Sequence, residues 1–158
     1  MGWMWRGLLL TPALVLAVAC QATGMGWIPS AFDPAEKATF GFVYNGDTQT
    51  FSGSYHDHGG DVDFKGTGVL KSGPPPLGIK SKGGCLLGFP AYDSQNSNHP
   101  GQGNLFLYVC DMDGDGAVTA FDYIAIEVAS GPYVGYKNSG QPSGNITVTD
   151  APPAPPFP

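Results

Sequence analysis

Four aspartates lie within one stretch of twelve residues in the C-terminal half of the chain, and the first three of them alternate with other residues. Residues 111–122 read DMDGDGAVTAFD, so carboxylates occupy positions 1, 3, 5 and 12 of a twelve-residue loop. A hard dication such as Ca²⁺ takes roughly six to eight oxygen ligands, and alternate short acidic side chains around a glycine turn supply them. The predicted calcium ligands are Asp111, Asp113, Asp115, the backbone carbonyl of Ala117, Thr119 and Asp122.

This spacing is similar to the calcium loops of EF-hand and dockerin proteins. Position 12 is Asp122, where EF-hands carry glutamate and dockerins carry aspartate. Dockerins have two such loops, each followed by a helix, whereas one loop is visible here. NLFLYVC before the loop is strand-like and residues 123–128 alternate, so we expect β-strands on both sides rather than helices. The alternative is a solvated acidic turn that binds no ion.

A second group of metal-binding residue types lies in the phrase YHDHGGDVD. His56 and His58 are one residue apart, so they share a face if the segment is a strand. Such a pair can hold zinc or copper, which makes a small exported metallohydrolase an alternative function, with His99 as the remote third histidine. The other interpretation is a pair of surface histidines that hydrogen-bond locally. The sequence contains no HExxH, GxSxG or Cys/His nucleophile arrangement, so we predict no enzyme.

The three cysteines, Cys20, Cys85 and Cys110, form no CxxC pair and no Cys/His cluster. Neither a structural zinc site nor a thioredoxin-type centre is therefore predicted. Cys85 and Cys110 each lie beside an apolar, strand-like run. In an oxidising compartment we expect a disulfide between them that joins two strands. The alternative is two buried free thiols.

The N-terminal residues have the pattern of an export signal. Residues 8–19 form an apolar run shorter than the about 20 residues of a membrane-spanning helix. Small residues at 17 and 19 fit a signal-peptidase site, so residues 1–19 are predicted to be a cleaved signal peptide; the alternative is a buried helix. LAVAC resembles a bacterial lipobox, with Ala17 where leucine is usual. A lipid on Cys20 is the one membrane attachment that we consider, and simple secretion is its alternative.

Composition limits the fold that must position these groups. Of 158 residues, 24 are glycine and 15 proline, which disfavours helical bundles, while 42% apolar and 12% aromatic residues suffice for a core. The formal net charge of −6 argues against binding to nucleic acid, which needs a basic face. The sequence therefore predicts an all-β domain, a β-sandwich or small barrel of about eight short strands that follows the cleaved signal segment.

The predicted β-domain spans residues 37–149, after a lead-in at 20–36 and before a Pro-rich tail at 150–158 that cannot join a sheet. Alternation of apolar residues predicts a hairpin in which Ala38, Phe40, Phe42 and Tyr44 share one face with Phe51 and Tyr55 of the next strand. Residues 91–103 are expected to be a surface loop. Further strands are expected at 61–70, 77–80, 85–89, 104–110, 122–128, 131–136 and 144–148.

Several short phrases occur in an order that resembles a family of bacterial secreted domains called post-COAP. They are GWIPS (26–30), KATFGF (37–42), YHD (55–57), GPY (131–133), SG (139–140) and GNI (144–146). The family tends to carry an Asp- and Gly-rich loop between its last strands, where residues 111–122 lie, whereas residues 70–103 depart from its pattern. The resemblance implies a β-rich extracellular module, and it implies no catalytic residues.

Together these features predict an exported, non-catalytic β-domain, stabilised by calcium, that acts as a cell-surface or extracellular accessory or adhesion module. Its partner is expected to be an unknown extracellular protein or a glycan. One alternative is a dockerin-like element that binds a cohesin-type domain, which a helical hairpin at residues 122–130 would favour. The other alternative is the metalloenzyme that uses His56 and His58.

Overall fold

A computed structural model describes residues 21–73, 83–112 and 122–149. Across these ranges the chain forms ten strands and no helix, which confirms the all-β fold class. The strands are β1 (Gln21–Pro29), β2 (Lys37–Asn45), β3 (Thr50–Asp57), β4 (Val62–Gly73), β5 (Gly84–Gly88), β6 (Ala91–Ser94), β7 (Gln102–Asp111), β8 (Tyr123–Val128), β9 (Lys137–Gly140) and β10 (Ser143–Thr149).

All neighbouring strands are antiparallel, in the order β10-β1-β2-β3-β4-β5-β7-β8-β9. The sheet curls, so that β9 approaches β1 and β10 approaches β5 and β7. This closure gives the architecture of a β-sandwich or small barrel. The short connection at residues 141–142 carries the chain from β9, at one end of the strand order, to β10 at the other.

Strands β5 and β6 lie one after the other in the same space between β4 and β7. Leu70–Gly73 of β4 pair with β5, and Phe64–Thr67 of β4 pair with β6. Phe89 and Pro90 separate the two short strands. Because proline has no backbone N–H to donate, it interrupts the ladder at this point.

The core forms from alternate residues of the strands, as the period-two pattern requires. Ala38, Phe40, Phe42 and Tyr44 are all buried in β2, which confirms the predicted face, and Phe51 and Tyr55 of β3 are buried beside them. On β7 and β8 the buried set continues with Leu105, Leu107, Val109, Ile124, Ile126 and Val128.

The lead-in predicted at 20–36 contains a strand that the sequence did not indicate. β1 lies between β10 and β2, although two of its nine residues are Gly24 and Gly26. A Cβ at Gly24 would lie 2.3 Å from the Phe42 ring, and one at Gly26 would lie 2.9 Å from the Gly144 Cα. These glycines therefore allow the close approach of neighbouring strands.

Two other segments differ from expectation. The predicted loop at 91–103 begins with β6, and β7 starts at Gln102. GPYVGY, predicted as a strand, forms a turn in which Gly131 and Gly135 have φ of 86° and 88°. These positive φ angles are accessible to glycine and strained for other residues. The two glycines therefore allow a turn where the alternating pattern predicted a strand. The predicted signal segment (1–19), the strand at 77–80 and the tail at 150–158 lie outside the described residues.

Candidate functional site

Both ends of the acidic loop are buried carboxylates. Asp111 ends β7 and is 0% exposed, and Asp122 directly precedes β8 and is 1% exposed. Each is in phase with the core-facing residues of its strand. The predicted strands on both sides of the loop are confirmed. The predicted ligands Asp113, Asp115, Ala117 and Thr119 lie outside the described residues.

The two carboxylates bind the backbone of β10. The amide of Ile146 donates to Oδ2 of Asp122 at 2.9 Å, and the amide of Val148 donates to Oδ2 of Asp111 at 2.9 Å. These amides are two residues apart and therefore lie on one edge of the strand, while the opposite edge pairs with β1. The carboxylates thus take the place of a neighbouring strand and connect β10 to β7 and β8.

The predicted disulfide between Cys85 and Cys110 is confirmed. The two residues are direct cross-strand partners on β5 and β7, with Cα atoms 4.1 Å apart. The Tyr108 hydroxyl donates to Sγ of Cys85 at 3.7 Å. Cys110 immediately precedes Asp111, so the covalent link fixes the strand position at which the acidic loop begins. A disulfide is compatible with an oxidising extracellular compartment.

The His56 and His58 rings contact each other at a tilt of 30°, with centroids 4.1 Å apart. Nδ1 of His56 is 3.2 Å from Oδ2 of Asp63, and Nε2 of His58 is 3.3 Å from the Thr39 hydroxyl. His99 is instead beside Asp61, at 3.9 Å. In the part of the chain that the structure describes, no three His, Cys, Asp or Glu side chains are grouped as metal ligands. Zinc or copper at His56 and His58 stays a prediction.

A buried polar network centred on Asp57 was not predicted. Asp57 is 0% exposed, and its Oδ2 accepts hydrogen bonds from the Tyr136 hydroxyl at 2.7 Å and the Ala31 amide at 3.1 Å. Its Oδ1 accepts from the Gly59 amide at 3.0 Å. The signal was present in the sequence, because Asp57 has the same phase in β3 as the buried Tyr55. A charged residue at an inward position indicates a built polar site.

The network continues as a chain of hydroxyl groups. Because Tyr136 donates its proton to Asp57, the Tyr55 hydroxyl donates to Tyr136 over 2.7 Å. The Asn138 side-chain amide in turn donates to the Tyr55 oxygen at 2.8 Å and to the Pro29 carbonyl at 3.0 Å. Four side chains therefore join β1 and β3 to β9 and the turn before it.

Burial and hydrogen bonds within this network shift the pKa values of Asp57, Tyr55 and Tyr136. Burial raises the pKa of the Asp57 carboxyl, but hydrogen bonds from Ser30, Tyr136 and two backbone amides together outweigh it, so the pKa lies below the ordinary value. Burial raises the pKa of Tyr55 to about 12. Burial and the neighbouring Tyr55 and Asp57 also raise the pKa of Tyr136. The folded state thus favours an ionised carboxyl and neutral phenols.

These shifts predict a loss of stability in alkali. A phenol whose pKa is higher in the folded state than in the unfolded state contributes to stability in its neutral form. That contribution is complete below the unfolded-state pKa near 10, and for Tyr55 it is lost as the pH rises toward the folded-state pKa of about 12. The free energy of unfolding, measured in urea, should therefore fall between pH 9 and 11.5. The free energy of unfolding of Tyr55→Phe/Tyr136→Phe should fall less over that interval. An identical fall in the variant and the unsubstituted protein would show that these two phenols do not cause it. Tyr123→Phe, on the outer face of β8, is the matched control.

No helix in the described ranges has the length and apolar character needed to cross a membrane. We compared the chain with family models, curated proteins and solved structures, and none of the three comparisons found a match. The resemblance to the post-COAP family is therefore neither supported nor contradicted, and it stays a prediction from the phrases that carry it.

Proposed function

We propose that this chain is an exported, non-catalytic β-domain that a calcium ion in the 111–122 loop stabilises, and that it acts as an accessory or adhesion module at the cell surface or outside the cell. The supporting observation is the position of Asp111 and Asp122. The first and last carboxylates of the loop are both buried, and both accept amides of β10. A cation that orders the loop would therefore act directly on the contact that closes the fold.

Electrostatics favours a cation at this end of the molecule. Asp111 and Asp122 accept amides two residues apart on one strand, so two carboxylates are held near each other away from water. Transfer of a charge out of water is costly, and like charges at short range repel one another. Hydrogen bonds from backbone amides offset part of that cost. A divalent ion shared with Asp113 and Asp115 would offset more of it, and carboxylate oxygens are the ligands that Ca²⁺ prefers.

The alternative functions gain no specific support. A dockerin-like element would be favoured by a helical hairpin at residues 122–130, and β8 occupies Tyr123–Val128 instead. The metalloenzyme would be favoured by a convergence of His56, His58 and His99. His56 is paired with Asp63, while His99 lies beside Asp61 and Tyr133. We therefore keep the calcium-stabilised module as the proposal.

Calcium should raise the thermal stability of the protein. A single extracellular loop binds with a Kd on the order of 10⁻⁴–10⁻³ M. At 10 mM calcium, mass action then adds about 1.4–2.7 kcal/mol to the free energy of unfolding, an increase of several degrees in Tm. Differential scanning calorimetry in 10 mM calcium and in chelator measures this difference. Magnesium at the same concentration should give a smaller one.

The matched variants separate ion binding from a general effect of charge. Asp113→Asn/Asp115→Asn should abolish the calcium-dependent rise in Tm. Asp47→Asn/Asp61→Asn removes two charges from exposed turns and should preserve the rise. If the unsubstituted protein melts at the same temperature in calcium and in chelator, the calcium part of the proposal is wrong.

A further inference from the structure

The outer face of β8 contains a depression centred on Ala125. Along the strand, Tyr123, Ala125 and Glu127 point outward, while the residues between them are buried in the core. The cross-strand partners of Ala125 are Tyr108 on β7 and Ser139 on β9. A methyl group thus lies among larger side chains on both sides of the strand, and the open groove around it measures about 450 Å³.

Phe106 and Tyr123 are the aromatic residues that line this depression, and each packs against a further ring outside it. Tyr108 and Tyr123 have ring centroids 6.2 Å apart, at an interplanar angle of 60°. Phe106, two residues from Tyr108 on the same face of β7, packs against Phe89 with centroids 5.4 Å apart. Phe89 is 69% exposed. The core on the opposite face of these strands is already filled by aliphatic residues, so this aromatic row is not needed to bury the sheet, and exposed apolar patches often mark binding sites.

Polar groups form the other side. Nζ of Lys137 on β9 is 2.6 Å from Oε1 of Glu127 on β8, and Ser139 lies beside Ala125. The positive and negative charges are equal, so the depression carries no net charge although the chain as a whole is acidic. The depression therefore has no unpaired charge that would attract a polyanion or a polycation. An uncharged ligand with one apolar face and several hydroxyl groups matches both sides, because rings contact its C–H groups and the ion pair and hydroxyls bind its polar edge.

Among the described residues, the cavity between Phe40, Phe51 and Leu107 measures about 30 Å³, against roughly 300–1,000 Å³ for small-molecule pockets. This cavity is therefore too small for such a ligand, whereas the depression on the outer surface is large enough. The depression is also built on three paired strands, beside the disulfide that joins β5 to β7, which holds its rings in fixed relative positions.

We infer that the depression around Ala125 binds a neutral polysaccharide chain, with Phe106 and Tyr123 against the sugar rings and the Lys137–Glu127 pair on their hydroxyl groups. This assignment rests on the accessory or adhesion role proposed above and names its ligand class. It does not depend on calcium, since every residue that it uses belongs to a described strand.

The test is retention of the purified protein on insoluble cellulose and chitin, with anionic alginate beads as a charge control. Retention is expected on at least one neutral polysaccharide and not on alginate. Ala125→Gln, which fills the depression, and Tyr123→Ala should each lower the apparent affinity at least tenfold. Met25→Ala removes an apolar side chain that is 72% exposed on another face and should leave retention unchanged. If Tyr123→Ala does not fold, Lys137→Ala replaces it, because that side chain lines the depression and is 64% exposed.

Three results would overturn the assignment: no retention on either neutral polysaccharide, equal retention of Ala125→Gln, or a dimer in sedimentation that Ala125→Gln dissociates. The dimer would mean that a second copy of the chain covers the rings. Each retention assay is repeated in chelator. Retention without any effect of calcium on Tm would remove only the calcium proposal, whereas a calcium effect on Tm without retention would remove only the polysaccharide assignment.

Discussion

Asp57→Asn is expected to lower the free energy of unfolding by about 3 kcal/mol, which corresponds to a fall in Tm of roughly 10 °C. The carboxylate is fully buried and accepts from the Tyr136 hydroxyl and the amides of Ala31 and Gly59. An asparagine keeps one acceptor oxygen but turns an NH₂ group toward at least one of these donors. The donors left without an acceptor cannot reach water, and their desolvation is the main part of the cost. Urea unfolding at pH 7 measures the change.

Two variants calibrate this result. Tyr136→Phe removes one donor to Asp57 and the contact with Tyr55, so it should cost about 1 kcal/mol. Asp47→Asn removes the same charge from an exposed turn and should change stability by less than about 0.5 kcal/mol. If Asp57→Asn lowers the free energy of unfolding no more than Asp47→Asn does, the network does not stabilise the contact of β1 and β3 with β9.

The pH dependence of the Asp57 contribution has a definite sign. Its pKa is lowered on folding, chiefly by hydrogen bonds that outweigh the opposing effect of burial. The ionised carboxyl therefore stabilises the folded state at every pH above its ordinary value near 4, and this contribution is lost as the pH falls through the lower, folded value. The difference in the free energy of unfolding between Asp57→Asn and the unsubstituted protein should accordingly be smaller at pH 2.5 than at pH 7.

Loss of the disulfide is the second large effect. Cys85 and Cys110 are 25 residues apart in sequence, and in the chain-entropy model a loop of this size contributes about 3.5 kcal/mol. Cys85→Ser/Cys110→Ser should therefore lower Tm by roughly 10–15 °C. Calorimetry of the variant and of the reduced, unsubstituted protein should agree with each other. A decrease below about 1 kcal/mol in both would show that the link adds little to a ladder that is already formed.

The strands with clean alternation were predictable from sequence, because one buried face fixes the phase of every residue. In β2 the inward residues Ala38, Phe40, Phe42 and Tyr44 follow that rule throughout. The same rule places Cys85 and Cys110 beside apolar runs that pair, so the disulfide followed from the sequence and the expected compartment. The alternation is a local pattern, and the disulfide was predictable because Cys85 and Cys110 are the two cysteines that lie beside strand-like runs.

Other elements depend on partners distant in the chain. β1 has weak strand character because of Gly24 and Gly26, and only the approach of Phe42 and of the β10 backbone explains why glycine is needed there. In GPYVGY the alternation suggests a strand, but the hydroxyls of Tyr133 and Tyr136 bond to Ser94 and Asp57 across the fold, and the glycines at 131 and 135 permit the turn.

The candidate site shows the same division. Spacing alone identified Asp111 and Asp122 as the ends of an acidic loop, and the apolar pattern of the flanking residues predicted strands on both sides of it. Spacing could not reveal that both carboxylates bind the amides of Ile146 and Val148, because β10 lies 24 and 37 residues further along the chain. The depression at Ala125 likewise appears only when the registers of β7, β8 and β9 are known.

The carboxylates that bind β10 also cover part of the edge of an outer strand. An uncovered outer strand offers a row of amides and carbonyls to which another polypeptide can add, and this is how amyloid and swapped assemblies begin. Here Asp111 and Asp122, both buried, occupy two of those amides on β10 and so keep them from another chain. At the other end of the strand order, β9 is only four residues long and begins with a lysine. Replacement of both aspartates would leave these two amides open to a strand from another copy of the chain, so light scattering should detect more self-association in that variant than in the unsubstituted protein.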